Sequence, residues 1–291
     1  MSGQLYLLPC PISEAPALDA LPASTVEAAR RIDHFLVEAA RTARATLKAM
    51  GHPKPIAELD IVEIGHDPAP ELISEWLQPV LDGADAAVLS ESGCPGVADP
   101  GAQIAARAHE LGIRVVPLTG PSSILLTLMA SGLDGQRFRF SGYLPKHDAE
   151  RRAAILAAEK ASRASETQLF IETPYRNTAL LDALLETLAP DTRLTVAIDV
   201  TGQNESIRTL TAAAWKTIPK AKRTLPKLPT VFAFLAKPGN RAPRYAPECA
   251  GGKRAHTAPS SKPAVLNNRP KQANKTHRPE GSPVKTPKGG R

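Results

Sequence analysis

The stretch from residue 90 to residue 101, SESGCPGVADPG, has the composition of a ligand-binding loop. It is small and polar, it follows an apolar run that predicts a buried strand, and it precedes a helical pattern. Gly93 and Gly96 permit a positive φ or a close backbone approach to a ligand. Asp99 is either an N-cap of the following helix or an acidic group of the site. Because open parallel sheets bind ligands beyond the carboxyl ends of their strands, we interpret this loop as part of a binding pocket.

Two further loops of the same kind follow other predicted strands. Residues 9–13, PCPIS, come after the first apolar run, and residues 118–124, LTGPSSI, come after a later one. Ser122 and Ser123 stand at a predicted helix start, where free backbone N–H groups can hold an anion, although serines there are more often simple caps. Three such loops at three strand ends predict one shared pocket.

Several familiar site patterns do not occur in the sequence. It contains no GxG and no GxxxxGK[ST], which removes the dinucleotide fingerprint, the usual glycine-rich loop of Rossmann methyltransferases and the P-loop. GxSxG, HExxH and CxxC are also missing. The three cysteines, Cys10, Cys94 and Cys249, are scattered, and the seven histidines show no ligand spacing. We therefore predict neither a metal site nor a disulfide framework.

Short apolar runs alternate with helical patterns along most of the chain, which indicates βαβ units and a mostly parallel sheet. The predicted strands are residues 4–8, 60–64, 86–90, 114–118, 168–172, 194–200 and 230–236. The predicted helices are residues 25–50, 71–81, 102–111, 122–131, 148–164, 178–188 and 211–216.

The order of these elements predicts two α/β halves. Residues 25–50 are predicted as one long amphipathic helix, because apolar residues recur there at intervals of three or four. Residues 134–146 interrupt the alternation and predict a crossover between the halves. We expect an N-terminal α/β domain at residues 1–133, a C-terminal α/β domain at residues 134–240, and a tail at residues 241–291.

The basic charge of the chain belongs to that tail. Residues 241–291 hold twelve lysines and arginines against two glutamates, a net charge of +10, whereas the whole chain carries +7 and residues 1–240 therefore carry −3. The tail is rich in proline and poor in large apolar residues, so we expect disorder. Its charge either attracts RNA through the phosphates or marks a solvated extension.

The sequence predicts a cytoplasmic protein that does not enter a membrane. The N-terminus, MSGQLYLLPCPIS, has no basic region and only a short apolar run, unlike a signal peptide. No apolar stretch approaches the roughly 20 residues that a membrane span needs.

The three loops and their flanking strands resemble the tetrapyrrole-methylase superfamily, and within it the rRNA small-subunit methyltransferase I branch. The resembling motifs are GQLYLLPCPI (3–12), AVLSESGCP (87–95), ADPG (98–101), GIRVVPL (112–118), GPS (120–122), RF (137–138), GYLP (142–145) and FIETPYR (170–176). Together they extend over about residues 3–236, and they are specific as a set rather than one by one.

This resemblance implies two α/β domains, a homodimer, and S-adenosylmethionine (SAM) bound in the cleft between the domains. The missing GxG agrees with that fold. By position, the implied SAM contacts are Pro9, Gly93, Cys94, Pro95, Val97, Ala98, Ser122, Ser123, Ile124 and Thr230.

The resemblance also implies an RNA substrate, with rRNA or the small ribosomal subunit as partner. We expect substrate contacts at Tyr175 and Arg176, which follow a predicted strand, and at Arg41. The rRNA branch carries Glu-Asp-Thr-Arg where this chain has EAAR at residues 38–41. The branch's C-terminal helical extension is replaced here by the basic tail. Both departures concern the handling of substrate rather than SAM.

Methyl transfer from a sulfonium depends mainly on alignment of the acceptor, although a ribose hydroxyl benefits from a base. Asp99 and Glu172 are the acidic candidates, and each also suits a structural role; Arg176 can pair with Glu172 as scaffold. The expected function is SAM-dependent methylation of a ribose 2′-hydroxyl in small-subunit rRNA. Two alternatives stay open: a methyltransferase of the same fold acting on a tetrapyrrole or another small molecule, and a non-catalytic homologue that binds SAM and RNA.

Overall fold

Five parallel strands form the first sheet of the computed structural model, which describes residues 2–14 and 16–238. They are β1 (Gln4–Leu7), β2 (His34–Val37), β3 (Asp60–Glu63), β4 (Ala86–Leu89) and β5 (Arg114–Pro117). Their order is β3-β2-β4-β1-β5, and every neighbouring pair is parallel. Strands β2 and β4 are buried along their whole length, as is usual for parallel sheets covered on both faces.

Helices cover the first sheet on its two faces. The helices of this part are α1 (Ala17–Ala20), α2 (Ala23–Ala29), α3 (Ala40–Ala49), α4 (Ile73–Trp76), α5 (Gln78–Leu81), α6 (Ala102–Glu110) and α7 (Ser123–Ser131). Apolar residues of α1 to α3 cluster with Phe35 and Val37, whereas those of α4 to α6 cluster with Leu36 and Val88. Successive side chains of β2 therefore enter opposite layers of the core, as the period of a strand requires.

The second sheet is mixed rather than mostly parallel. In the described part of the chain its strands are β6 (Phe138–Tyr143), β7 (Thr167–Glu172), β8 (Arg193–Ile198), β9 (Ser206–Thr211) and β10 (Thr230–Leu235). The order is β6-β7-β10-β8-β9, and only β6 and β7 pair in parallel. The predicted parallel pairing is thus right for the first sheet and wrong for most of the second. The connection from β8 to β9 is too short for a parallel crossover.

Helices also lie on both sides of the second sheet. The later helices are α8 (Asp148–Ser162), α9 (Asn177–Thr187) and α10 (Ala212–Thr217). They pack with Phe170 and Phe234 on one face of the sheet. Helix α7 contributes Ile124 and Leu128 to the cluster on the other face. Although α7 precedes the predicted domain boundary at residue 133, it packs on the second sheet; the boundary itself remains a prediction.

The predicted helix over residues 25–50 is wrong. The chain forms α2, then β2, then α3 across this range. The apolar residues of β2 happen to continue the helical spacing of the segments on either side. Periodicity alone cannot separate a buried strand of four residues from a helical turn, and this is the ambiguity that produced the error.

Two more strands escaped prediction, whereas the general architecture is confirmed. The expected crossover at residues 134–146 contains β6, and β9 was not predicted. The other predicted elements occur within a few residues of their expected bounds, and the α/β fold with two sheets is confirmed. The predicted tail at residues 241–291 lies outside the described residues. Within those residues, no helix combines the length and the apolarity needed to cross a membrane.

Candidate functional site

A cavity of about 320 Å³ is lined by residues of both sheets. The loops after β1, β4 and β5 form one part of its wall, and residues at or beside β6, β7, β8 and β10 form the rest. The lining residues are Ile12, Ser92, Gly93, Cys94, Val97, Ala98, Asp99, Ser122, Ser123, Ile124, Tyr143, Ile171, Glu172, Thr173, Pro174, Val200, Pro229, Thr230 and Val231. The three loops singled out in the sequence therefore meet at one cavity, whose volume suits a small molecule.

Most of the expected SAM contacts lie in this wall, and two do not. Gly93, Cys94, Val97, Ala98, Ser122, Ser123, Ile124 and Thr230 line the cavity. Pro9 instead packs against Gly120 so closely that a Cβ built on Gly120 would lie 2.2 Å from the Cβ of Pro9. Ile12 supplies the first loop's contact with the cavity. Pro95 is buried within its own loop, where its Cβ approaches Gly101.

The loop over residues 90–101 is held in shape by its own backbone and by the first loop. The N–H of Gly96 donates to the carbonyl of Pro100 at 3.0 Å. Gly93 and Cys10 exchange two backbone hydrogen bonds, of 2.8 and 3.2 Å. Ala98 adopts a φ of +64°, which costs a residue with a Cβ roughly 1 kcal/mol or more. Such strain is typical of functional sites, and here it lies directly on the cavity wall.

The hydroxyls of Ser122 and Thr230 are engaged by the protein itself. Ser122 caps α7, because its Oγ accepts the N–H of Leu125 at 3.5 Å. Thr230 Oγ1 accepts from Asn177 Nδ2 at 2.9 Å and donates to the carbonyl of Leu228 at 3.0 Å. These two side chains are therefore structural parts of the cavity wall. Ser123, the first residue of α7, also lines the cavity.

The two cysteines of the site are structural thiols. Cys10 donates to the carbonyl of Ser90 at 3.2 Å, and Cys94 donates to that of Pro121 at 3.4 Å. Burial, assisted by the charge of Asp99, raises the pKa of Cys10 to about 12 and also raises the pKa of Cys94. Since the thiolate is the reactive form, neither thiol suits a nucleophile at neutral pH. Their hydrogen bonds tie the three loops together.

Asp99 lies in the wall that the main cavity shares with a second one. The second cavity, of about 240 Å³, is lined by His66, Pro68 and residues 98–103. Partial burial, followed by the negative charge of Glu38, raises the pKa of Asp99 to about 6, against the opposing effects of His66 and Ser90. A carboxylate with a pKa close to neutrality, placed in a cleft, is suited to accept a proton.

Glu38 directly follows β2 and interacts with the residues around Asp99. We call Glu38, Glu91 and Asp99 the acidic corner. The Glu38 carboxylate accepts the backbone N–H of Glu91 at 2.9 Å and lies 3.0 Å from Nδ1 of His66. The hydrogen bond and charge of Glu38 raise the pKa of His66. Sequence reasoning missed this role because a continuous helix over residues 25–50 leaves no strand end at Glu38.

Glu172 and Arg176 form an ion pair beside the cavity. Nη2 of Arg176 donates to Oε2 of Glu172 at 2.5 Å, and the N–H of Thr173 donates to Oε1 at 2.7 Å. The Glu172 side chain is only 2% exposed, so these donors replace the water that its carboxylate has lost. Tyr175 and Arg41 lie outside the cavity wall: Tyr175 projects from the turn after β7, and Arg41 is exposed in the first turn of α3.

The cavity also uses residues that sequence reasoning did not select. Tyr143 belongs to the GYLP motif, and that motif was the available signal for it. Ile171, Val200 and Val231 are apolar residues at strand ends, with nothing in the sequence to distinguish them from core residues. Among the described residues, no group of three or more His, Cys, Asp or Glu is arranged to hold a metal ion.

Known proteins resemble this chain over most of the described region. The family model for Tetrapyrrole (Corrin/Porphyrin) Methylases matches residues 17–215. A Mesorhizobium japonicum protein named ribosomal RNA small subunit methyltransferase I is 33% identical over 210 residues, which are 72% of this chain and 68% of the relative. A Vibrio cholerae protein of the same name is 33% identical over 129 residues, 44% of each chain. The match thus spans less than half the length of the Vibrio protein.

The fold has solved counterparts as well. The crystal structure of diphthine synthase superposes with a TM-score of 0.56 at 18% identity, covering 80% of this chain and 90% of that one. At such identity the likeness shows the fold alone. The family model, by contrast, matches well over half of this chain, and it confirms the resemblance drawn from the loop motifs. The chain belongs to the tetrapyrrole methylase family, a family of methyltransferases.

Proposed function

We propose that this chain is a SAM-dependent methyltransferase that methylates a ribose 2′-hydroxyl in small-subunit rRNA. Family membership supports the reaction class, and the names of the Mesorhizobium and Vibrio relatives support the substrate. The observation that carries the chemistry is the position of Asp99, a carboxylate with a raised pKa in the wall between two adjoining cavities.

The residues of the main cavity fit SAM. Ile12, Val97 and Ile171 offer apolar surface for an adenine ring, and Gly93, at a φ of +74°, lets backbone approach the ligand without a Cβ. The carboxylate of Asp99 provides the negative charge that suits a sulfonium. The proposed SAM contacts are the eight wall residues expected from the sequence together with Ile12, while Pro9 and Pro95 hold the loops in place.

SAM, when bound, supplies an electrophilic methyl group on a positively charged sulfur. The residues of the cavity wall would hold this methyl group beside the ribose oxygen that accepts it. The hydroxyl proton passes to the carboxylate of Asp99. General-base help of this kind typically contributes about 10²- to 10⁴-fold. The cavities on either side of Asp99 would hold the two reactants, so proximity supplies much of the remaining acceleration.

Partial burial is the largest cause of the raised pKa of Asp99, and Glu38 and His66 adjust that pKa in opposite directions. The charge of Glu38 raises the pKa of Asp99, and that of His66 lowers it. The resulting value of about 6 leaves Asp99 ionised at the pH of a bacterial cytoplasm, where the proposed enzyme would work, and still close enough to neutrality to accept a proton. We assign Glu38 and His66 as positioning residues, because they act on Asp99 rather than on the reactants.

Substrate contacts are proposed at Tyr175, Arg41 and Arg176. Tyr175 and Arg41 are exposed outside the cavity wall, where an RNA chain can reach them. Arg176 pairs with Glu172 but keeps 31% of its side chain exposed, so it can serve the scaffold and the substrate together. The homodimer implied by the family is also part of the proposal, and sedimentation at several protein concentrations tests it.

Titration calorimetry with SAM tests the cofactor assignment. We expect binding by the unmodified chain and none by Ser123→Trp, whose indole would fill the cavity. Met129→Trp is the matched control, because Met129 lies on the same helix, is 78% exposed and does not line the cavity. Equal SAM affinity in all three proteins would place the ligand elsewhere, and no binding by the unmodified chain would overturn the proposal.

A further inference from the structure

Tyr175 is the aromatic side chain at the centre of this inference. It is 80% exposed on the short turn Pro174–Arg176 that follows β7. Nζ of Lys227 lies 5.0 Å from the centroid of its ring. An exposed aromatic ring with a lysine over it combines a surface for base stacking with a charge for phosphate.

The two residues lie next to residues of the main cavity's wall. Thr173 and Pro174, immediately before Tyr175, line the cavity, as do Pro229 and Thr230, which follow Lys227 closely. A ligand bound in the cavity and a chain lying across Tyr175 would therefore be neighbours. Tyr175 is therefore not only an exposed aromatic residue: its position next to the cavity suits it to contact a substrate.

The segment that carries Lys227 is strongly basic. Residues 216–227 contain Lys216, Lys220, Lys222, Arg223 and Lys227 and no acidic residue. Among the described residues, one ion pair involves this segment: Lys220 lies 3.4 Å from Asp182, with 78% of the lysine side chain exposed. Exposed pairs of this kind are weak, so Lys220 can exchange Asp182 for a phosphate. We call Tyr175 together with residues 216–227 the basic ledge.

Hydrogen bonds hold the two parts of the basic ledge in a fixed relation. Asn177 Nδ2 donates to the carbonyl of Leu228 at 2.8 Å, and the N–H of Leu225 donates to Thr178 Oγ1 at 3.0 Å. Asn177 and Thr178 begin α9 directly after the turn that bears Tyr175. The basic segment is thus fastened to the aromatic residue's own turn, and such preorganisation lowers the entropy cost of binding.

The charges around the cavity are unevenly distributed. Glu38, Glu91 and Asp99 lie on the side of the first sheet, whereas the side of the second carries the basic ledge and Glu172, whose charge is paired with that of Arg176. A polyanion would be attracted more strongly to the second side than to the first. This asymmetry favours a strand that enters the site across the ledge and presents a single nucleotide to the acidic corner.

We propose that the basic ledge binds single-stranded RNA next to the acceptor nucleotide. One base stacks on Tyr175, and neighbouring phosphates contact Lys222 and Lys227. This inference rests on the proposed function and adds to it the surface that receives the RNA. An extended acidic peptide would match the charge of the ledge but would make no use of a stacking face, and it serves as a comparison below.

The first test measures binding of a short single-stranded RNA to full-length protein by fluorescence anisotropy at several salt concentrations. Tyr175→Ala should weaken binding about 5- to 100-fold without changing the salt slope, since stacking involves no counterion release. The double variant Lys222→Gln/Lys227→Gln should weaken binding and reduce the slope by about 1.4. The control double variant Lys48→Gln/Lys54→Gln removes the same charge near the end of α3, and it should match the unmodified chain.

A second measurement is insensitive to binding elsewhere on the chain. RNA carrying 4-thiouridine should cross-link under ultraviolet light to the peptide that contains Tyr175, and Tyr175→Ala should remove that cross-link. Unchanged RNA affinity in Tyr175→Ala, cross-links confined to other peptides, or tighter binding of polyglutamate than of RNA would each overturn the inference. SAM binding is measured by calorimetry for each variant. If SAM binds but the RNA results contradict the basic ledge, only this inference is wrong. If the unmodified chain does not bind SAM, the proposed function is wrong.

Discussion

The carboxylate of Glu38 accepts the backbone N–H of Glu91 at 2.9 Å, which joins the end of β2 to the loop that carries Asp99. One glutamate thereby has two consequences. It anchors the first residues of the loop, and its charge adds to the effect of burial in raising the pKa of Asp99. The proton affinity of Asp99 is therefore coupled to β2 through Glu38.

Glu38→Gln should move the pH dependence of methyl transfer to lower pH. In the unmodified chain Asp99 must lose its proton to act, so the rate should rise through about pH 6. Removing the charge of Glu38 lowers the pKa of Asp99, and the rising limb shifts with it; glutamine still offers an oxygen to the N–H of Glu91. The measurement is the initial rate between pH 5 and pH 8.

Glu63→Gln is the matched control for that shift. Glu63 follows the same pattern, since its carboxylate accepts the N–H of Ala40 at 2.8 Å, but it does not contribute to the raised pKa of Asp99. Its rising limb should stay in place. If the rate of Glu38→Gln rises at the same pH as that of the unmodified chain, or at a higher pH, Glu38 does not raise the pKa of Asp99.

Asp99→Asn should slow methyl transfer by about 100-fold or more while making the protein more stable at pH 8. The pKa of Asp99 is raised in the folded chain, so the folded state disfavours the ionised carboxylate; stability falls as pH rises from about 4 to beyond 6. Allowing for solvent screening, the gain in the free energy of unfolding at pH 8 is about 1 kcal/mol. Thermal unfolding should show this gain at pH 8 and lose it below pH 4. A slower variant with reduced stability at pH 8 would indicate a structural role instead.

Gly120→Ala should loosen the SAM site through Pro9. The added Cβ would meet Cβ of Pro9 at 2.2 Å, so the first loop must move. We expect a loss of about 1 to 3 kcal/mol in the free energy of unfolding and weaker SAM binding. Gly135→Ala is the control, because a Cβ there has no neighbour within 4 Å. Denaturant titration and calorimetry check both variants, and equal behaviour of the two would dismiss the contact with Pro9.

Arg176→Ala should lower the stability of the fold, because Glu172 at the end of β7 would lose the cation that pairs with it. Breaking a pair whose carboxylate is 2% exposed should cost about 2 to 3 kcal/mol of unfolding free energy. The double variant Glu172→Gln/Arg176→Ala should recover part of that loss. Single and double variants are compared by denaturant unfolding. RNA binding should weaken and SAM affinity should hold; a loss of SAM affinity with unchanged RNA binding would refute the substrate role of Arg176.

The three site loops could be predicted from sequence because each combines small residues, prolines and a strand end in one short stretch. Gly93 and Ser123 were recognisable in this way, whereas Ala98 was expected from the family resemblance, and all three line the cavity. Asp99 was also recognisable, but the role of Glu38 was not, because Glu38 follows a four-residue strand whose apolar pattern merges with the helices around it.

The second half of the site was harder to predict for a different reason. Its wall includes Ile171, Val200 and Val231, ordinary strand residues whose place depends on antiparallel pairings between distant segments. Such pairings leave no local signature. Lys227 is similar: its contact with Tyr175 joins residues 52 positions apart, and only the fold brings them together.

Transfer of labelled methyl groups from SAM to small ribosomal subunits that lack their modifications tests the central claim most directly. The account predicts label in a ribose of the small-subunit RNA, with loss of the signal in Asp99→Asn. Label in a small molecule from a panel of tetrapyrroles, with none in the subunits, would contradict the proposed substrate. SAM binding with no transfer to either would indicate a non-catalytic homologue and contradict the proposed chemistry.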